Sequence, residues 1–139
     1  MKCAIYTATF SDYDILLSPA ETTPDSDLIA FGDGIQPFAR KWRFEPIHSE
    51  LKDRNQNEIN RYYKLFPSKF LEDYDLSVYV DGNILILSDL TPLIQEFISS
   101  GADIALFPSQ HNRTVREEIE LALARGKVRP ERHAAAVQQ

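Results

Sequence analysis

Short apolar segments of strand length alternate along this chain with segments of helical period, and this alternation restricts the fold more than any other feature. The strand-like segments lie at residues 3–10, 28–31, 76–80 and 103–107, with a weaker candidate at 42–47. They are rich in β-branched and aromatic residues, as strands are. Strands that alternate with helices predict an α/β domain with a largely parallel sheet.

Three helices are predicted by apolar spacing and by capping residues. The first has its apolar face at Ile59, Tyr62, Tyr63, Phe66 and Phe70, and Pro67 ends it near Phe66. Thr91 is expected to cap the second helix, which Gly101 closes. The third opens with a capping box of the form T-x-x-E at Thr114 and Glu117. Ligands of parallel sheets bind at the carboxyl ends of strands, so the loops after residues 10, 31, 80 and 107 are the candidate binding loops.

Composition narrows the class of protein. The 139 residues suffice for one domain, and the formal charge of -6 argues against a protein that coats nucleic acid. The single cysteine, Cys3, cannot form an internal disulfide, which favours a reducing compartment. No apolar run approaches the roughly 20 residues that span a bilayer. We therefore expect a soluble, cytoplasmic protein without a transmembrane segment, although its basic tail leaves peripheral attachment to a membrane open.

The sharpest candidate for chemistry is Asp81-Gly82-Asn83, directly after the apolar segment at 76–80. Oxygen-bearing side chains at i and i+2 of an extended segment point the same way, so Asp81 and Asn83 can ligate one divalent cation such as Mg²⁺ or Mn²⁺. Gly82 has no side chain to block a diphosphate that approaches the backbone. Asp-Gly between apolar runs is, however, also the strongest short signal for a β-hairpin, so a plain turn is an alternative.

The pattern D-x-[DN] alone is not specific, because it recurs along the chain. Four of its occurrences are Asp12/Asp14, Asp25/Asp27, Asp73/Asp75 and Asp81/Asn83. The second and third precede predicted strands, whereas the first and last follow them. The last pair stands apart because it closes an almost wholly apolar strand and has glycine between its two members.

Arg61 and Lys64 lie three residues apart on the first predicted helix and therefore share one face. Both can neutralise phosphates: the planar guanidinium of Arg61 through paired hydrogen bonds and the ammonium of Lys64 as a compact charge. The alternative is a solvated helix edge. The three histidines have no metal-ligand spacing, and the chain carries no dinucleotide fingerprint, Walker loop or nucleophile elbow.

Taken together, these residues resemble a known family. The stretch from Arg61 to Leu90, R-Y-Y-K-L-F-P-S-K-F-L-E-D-Y-D-L-S-V-Y-V-D-G-N-I-L-I-L-S-D-L, is similar to the core of the TOD/MUCI glycosyltransferase-like family. The opening I-Y-T-A-T-F-S-D-Y-D, the short strand ending F-G-D and the region from F-P-S-Q-H-N-R to R-E-E-I-E are also similar to it. The resemblance implies a GT-A-like, Rossmann-like sheet flanked by helices over residues 1–127, with a tail at 128–139.

The resemblance also implies a function and a set of site residues. The function is transfer of a sugar from a nucleotide diphosphate sugar donor to an unknown glycan or other acceptor. Asp81 and Asn83 would hold Mn²⁺ or Mg²⁺, and Arg61, Lys64 and Gly82 would contact the diphosphate. Thr7, Ala8, Phe10 and Asp33 would contact the nucleoside, and His111 and Arg113 would belong to a donor loop. In that loop Ser109 and Gln110 replace the family's His-Pro pair.

Two further readings stay open. The chain resembles only the donor-binding part of a larger catalytic domain, so it is alternatively a noncatalytic module that binds a nucleotide or a partner chain. The same parallel sheet and the same cation-binding residues would also suit a metal-dependent nucleotidyltransferase. No general base is identified, and a homo-oligomer is compatible with all three readings.

Overall fold

The computed structural model describes residues 1–10, 15–34, 36–108 and 114–126, and the chain divides into two units, Met1–Ser100 and Gly101–Gln139. Unit 1 contains the strands β1 (Cys3–Thr9), β2 (Ser26–Gly32), β3 (Arg43–Pro46) and β4 (Leu76–Tyr79). It also contains the helices α1 (Gln56–Leu65) and α2 (Thr91–Ser100), and single 3-10 turns at Ser49–Leu51 and Pro67–Lys69. Unit 2 contains α3 (Val115–Ala124), and the predicted tail at 128–139 lies outside the described residues.

The strands of unit 1 form one sheet in the order β3-β2-β1-β4, and every neighbouring pair is parallel. β1 pairs along its whole length with β2 and over its first four residues with β4. The predicted α/β, Rossmann-like fold is confirmed. The chain adds strands outward through β2 and β3 and then returns to the opposite side of β1, so the strand order reverses between β1 and β4.

All seven residues of β1 are buried, because both faces of the sheet are covered there. Tyr6 and Ala8 belong to the apolar cluster on the side of α1, whereas Ile5 belongs to the cluster on the opposite side, where it is joined by Trp42. The absence of charge from this segment is thus explained by its central position, as parallel sheets require.

Helix α1 forms where its apolar spacing predicts. The side chain of Asn55 caps it by accepting a hydrogen bond from the backbone N–H of Glu58, and Ile59 and Tyr63 are its buried residues. The Tyr63 ring stacks on Phe31 of β2 with 4.3 Å between ring centroids, and the hydroxyl of Tyr6 donates to the carbonyl of Tyr63 at 3.1 Å. Aromatic packing therefore fixes α1 over β1 and β2.

Gly32 ends β2 at a point where the backbone of β1 comes unusually close. A Cβ atom added to Gly32 would lie 2.4 Å from the carbonyl oxygen of Thr9. No side chain fits at that distance, so glycine is required for the carboxyl ends of β1 and β2 to stay paired.

Two local predictions are wrong. Residues 103–107 do not form a strand, and the side chains of Ile104, Leu106 and Phe107 are 72%, 82% and 85% exposed. A short apolar run becomes a strand only where a neighbouring strand pairs with it, and the described part of the chain provides none here. Thr91 is the first residue of α2 and not its cap: its N–H and hydroxyl both donate to the carboxylate of Asp89.

No helix within the described residues has the length and apolar character that crossing a membrane requires.

Candidate functional site

A cleft opens at the point where the strand order reverses, beside the carboxyl ends of β1 and β4. Its volume is about 230 Å³, and it is lined by Phe10, Gln56, Asn57, Asn60, Asp81, Gly82 and Asn83. Phe10 directly follows β1, the three amides come from α1, and the last three residues follow β4. Crevices at such reversal points are where open parallel sheets bind their ligands.

Asn60 ties the two strand ends together at this cleft. Its side-chain N–H donates to the carbonyl of Ala8 at 3.1 Å, and its side-chain oxygen accepts from the hydroxyl of Tyr79 at 3.2 Å. The Tyr79 ring in turn packs edge-on against Tyr6, with 5.2 Å between centroids. Both polar ends of one amide are thus used to hold β1, α1 and β4 at a fixed separation.

The ion pair between Lys64 and Asp81 crosses from α1 to the turn after β4. The Nζ of Lys64 lies 3.2 Å from Oδ1 of Asp81 and 4.9 Å from the centroid of the Tyr79 ring. Both side chains are about half exposed, at 47% and 49%. Exposed ion pairs contribute at most about 1 kcal/mol to stability, so this pair can open when a ligand competes for either partner.

Burial and the neighbouring negative charge of Asp81 raise the pKa of Tyr79 well above its usual value. Its phenol therefore stays protonated throughout the physiological range. The hydroxyl consequently remains a donor to Asn60, and the link between α1 and β4 is kept over that range.

Residues 81–84 form a turn, in which the N–H of Ile84 donates to the carbonyl of Asp81 at 2.9 Å. Among the described residues positive φ angles occur at Asp25, Gly101 and Gly126, and so at neither central position of this turn. The two-residue hairpin turns need positive φ at one or both of those positions, and residues 84–87 do not form a strand. The hairpin alternative is therefore wrong.

The other predicted site residues separate into groups. Phe10 lines the cleft, whereas the side chains of Thr7 and Ala8 are fully buried in the sheet and reach no solvent. Within the described residues the hydroxyl of Thr7 has no hydrogen-bond partner. Asp33 is exposed just after β2, and Arg61 is exposed on α1, one residue after Asn60. His111 and Arg113 lie outside the described residues.

The contribution of Gln56, Asn57 and Asn60 to the cleft was not predicted from the sequence. Their signal is visible in retrospect, because helical spacing places Asn57, Asn60 and Lys64 along one side of α1 next to its apolar face. Side-chain amides are common on exposed helix faces. These residues can therefore be recognised as part of a site only when the end of β4 is known to lie opposite them.

Of the five oxygen-bearing side chains that line the cleft, Asp81 carries a carboxylate, and Asn83 lies two residues after it. In the part of the chain that the structure describes, no group of three or more His, Cys, Asp or Glu side chains is placed to hold a metal. Mg²⁺ is commonly held by one or two carboxylates together with substrate phosphates. The donor set fits a cation that arrives with a diphosphate better than a resident structural metal.

A larger cavity of about 490 Å³ lies on the α1 side of β2 and β3, between Arg43 and Glu45 on one wall and Phe70 and Tyr74 on the other. Three of its polar side chains are already engaged in ion pairs or hydrogen bonds. Arg43 pairs with Glu45 at 3.1 Å and donates to the hydroxyl of Tyr74, which donates to the carboxylate of Asp27. We therefore regard the smaller cleft as the better candidate site.

Comparison with known proteins does not assign the chain to a family. No protein-family model matches it, and no solved structure matches it. Membership of the TOD/MUCI family stays a prediction from the sequence.

Proposed function

We propose that the cleft between β1 and β4 binds the diphosphate of a nucleotide sugar together with Mn²⁺ or Mg²⁺, and that the protein is a glycosyltransferase-like, donor-binding protein. One observation carries the proposal: Asp81, Gly82 and Asn83 meet Phe10 and the polar side of α1 in the crevice where the strand order reverses. This is where a parallel sheet of this order is expected to bind a nucleotide.

The size of the cleft supports a diphosphate as the group bound there. Its 230 Å³ is smaller than the roughly 300–1,000 Å³ of sites that enclose whole small-molecule ligands. We infer that the diphosphate occupies the cleft while the nucleoside lies toward Phe10 and the end of β2, where Asp33 is exposed.

The charges around the cleft favour binding of the diphosphate together with a cation. The chain carries a formal charge of -6, and Asp81 adds a negative charge inside the cleft, so a bare diphosphate would be repelled. Lys64 and, one turn earlier, Arg61 supply positive charge at its border. A cation held by Asp81 and Asn83 would neutralise the diphosphate as it leaves the sugar. Lys64, released from Asp81, would then be placed to donate to a phosphate oxygen.

A second candidate function is favoured by what lines the cleft. Among the described residues that line it, Asp81 is the one ionisable side chain, and the proposal already assigns it to the cation. A cleft whose described lining offers no further acid or base suits a noncatalytic module that binds the nucleotide sugar without transferring the sugar. Release of free sugar or a glycosylated product by the chain would exclude this second candidate.

The deciding experiment is isothermal titration of UDP and GDP sugars into the protein with and without Mn²⁺, and of Mn²⁺ alone. We expect binding when nucleotide and Mn²⁺ are both present, and little binding of either one alone. Asp81→Asn keeps the shape of the side chain and should weaken that binding by roughly tenfold or more, because a charged ligand oxygen is lost.

Asp53→Asn is the matched control, since it removes the same charge from an exposed carboxylate that does not line the cleft. It should leave binding unchanged. Circular dichroism would establish that both variants fold. Absence of nucleotide binding by the wild type, or equal binding by Asp81→Asn and the wild type, would refute the proposed function.

We further propose that the protein acts in the cytoplasm, because its single cysteine, Cys3, is free and buried at the start of β1. Its other partner would be the glycan or other acceptor that receives the sugar, and self-association remains compatible with the fold.

A further inference from the structure

The outer face of α1 carries an exposed apolar tip surrounded by cations. Leu65 and Phe66, where the helix ends, are 68% and 45% exposed. The Tyr62 ring contacts Phe66 with 5.0 Å between centroids. We call the surface formed by Arg54, Arg61, Tyr62, Leu65, Phe66 and Lys69 the α1 outer face.

Two of its cations rest on its aromatic rings. The Arg54 guanidinium lies 5.6 Å from the centroid of Tyr62, and the Nζ of Lys69 lies 5.3 Å from the centroid of Tyr62 and 5.5 Å from that of Phe66. Lys69 also donates to the hydroxyl of Tyr62 at 3.0 Å. These contacts hold positive charge directly beside apolar side chains that are exposed to solvent.

This positive charge stands out against the rest of unit 1. Residues 52–69 contain five basic and two acidic side chains, whereas residues 70–100 contain six acidic and no basic ones. Acidic side chains near the α1 outer face are Asp53, next to Arg54, Glu58, one turn before Arg61 and Tyr62, and Glu50, whose charge acts on Lys69. Two other exposed apolar side chains of unit 1, Ile84 and Leu87, belong to the acidic stretch, whereas Ile15 and Phe38 lie outside it.

We propose that the α1 outer face docks onto an anionic lipid membrane. Leu65 and Phe66 would insert among the acyl chains near the headgroups, while Arg54, Arg61 and Lys69 would contact anionic headgroups. A bilayer accepts a small exposed tip without needing a complementary pocket. Neither Leu65 nor Phe66 lines either cavity described above.

The membrane proposal does not depend on the proposed function. Leu65 and Phe66 lie outside the cleft, so their replacement should leave nucleotide binding intact. The two proposals can therefore fail separately.

The test is co-sedimentation of the full chain with vesicles of phosphatidylcholine alone and of phosphatidylcholine mixed with phosphatidylserine. We expect binding to the anionic vesicles only, and weaker binding as salt is raised. The double variant Leu65→Ser/Phe66→Ser should lower the partition coefficient by roughly tenfold or more through lost apolar burial. Lys69→Glu should lower it roughly twenty-five-fold, because the charge changes by two units and each unit near such a surface contributes about fivefold.

Two controls and one gain of function make the test specific. Leu87→Ser removes an equally exposed leucine from the acidic stretch, and Arg40→Glu reverses an exposed charge away from α1; both should bind as the wild type does. Glu58→Gln should bind anionic vesicles more tightly. The proposal is overturned if wild-type protein ignores phosphatidylserine vesicles, or if the controls lose binding as much as the test variants. It is also overturned if Leu65→Ser/Phe66→Ser instead abolishes a dimer that forms without lipid.

Discussion

The two ends of β4 carry the same short sequence pattern and use it differently. Before the strand, the carboxylate of Asp75 accepts a hydrogen bond at 2.7 Å from the backbone N–H of Lys2, which precedes β1. After the strand, Asp81 faces a cleft, is half exposed and pairs with the half-exposed side chain of Lys64. The first carboxylate joins two chain segments, whereas the second lies half exposed at the cleft.

The difference teaches that direction along a parallel strand decides what a polar pair can do. At the amino end of β4, the chain returns from Tyr74 and packs against the start of β1. Polar groups there are therefore engaged in hydrogen bonds with the backbone of Lys2. At the carboxyl end, β1 and β4 diverge at the reversal of strand order, and the space between them remains open.

The largest expected effect on nucleotide affinity comes from reversing the charge at one end of β4, compared with the same reversal at the other end. Asp81→Lys should weaken nucleotide binding in the presence of Mn²⁺ by roughly hundredfold, because a ligand oxygen is lost and a positive charge would repel the cation. Asp75→Lys should change that affinity by less than about twofold and should instead lower the melting temperature. Titration calorimetry and thermal unfolding of the same two proteins separate these outcomes, and similar losses of affinity in both would break the comparison.

A smaller effect is expected from alkaline pH. Burial raises the pKa of Tyr6 to about 12 and that of Tyr79 further, whereas an unfolded tyrosine titrates at 10.0. Above pH 10 the unfolded chain loses protons that the folded chain retains, so the free energy of unfolding should fall as pH rises, by at most about 1.4 kcal/mol per pH unit for each tyrosine. Below pH 10 this contribution is fully present.

Substitutions at the two ends of β4 sharpen the alkaline test. Tyr79→Phe should flatten the slope of unfolding free energy against pH above 10, as measured by urea unfolding at a series of pH values. Tyr74→Phe should flatten it less, because the Arg43 guanidinium offsets part of the rise in the pKa of Tyr74. If the slope for Tyr79→Phe equals that of the wild type, Tyr79 does not contribute to the loss of stability at alkaline pH.

The smallest effect on stability is expected for Lys64→Gln. The ion pair that it breaks is exposed, so the free energy of unfolding should change by less than about 0.5 kcal/mol. Nucleotide affinity should nevertheless fall by roughly fivefold to tenfold, since a charged donor to phosphate is lost. Lys41→Gln, which removes hydrogen bonds to the carbonyls of Pro19 and Ala20, should lower stability without changing affinity.

The parts of the molecule that the sequence predicts are those set by local patterns. The uncharged segment of β1 and the apolar spacing of Ile59 and Tyr63 predict a central strand and a helix that the structure contains. The capping box of Thr114 and Glu117 likewise opens α3. These signals depend on neighbours within one turn or one strand, so no tertiary context is needed to read them.

The parts that escaped prediction depend on residues distant in the sequence. The bridge from Asn60 to Ala8 spans 52 positions, and the pairing of Lys64 with Asp81 spans 17. The apolar run at 103–107 shows the reverse case, because a strand-like pattern without a pairing strand stays exposed. Asp81 was singled out by its position after an apolar strand, but the amides that surround it became recognisable only once α1 was placed.

The contact between Gly32 and the backbone of Thr9 has a consequence for any attempt to diversify this protein. Consider a library that is randomised at positions 32 and 34 and selected for folding. Position 32 should return glycine alone, because even the Cβ of alanine would displace the backbone carbonyl of Thr9. Position 34, where an added Cβ meets nothing within 4 Å, should accept many residues. New side chains for altering the loop after β2 should therefore be introduced at position 34 and not at position 32.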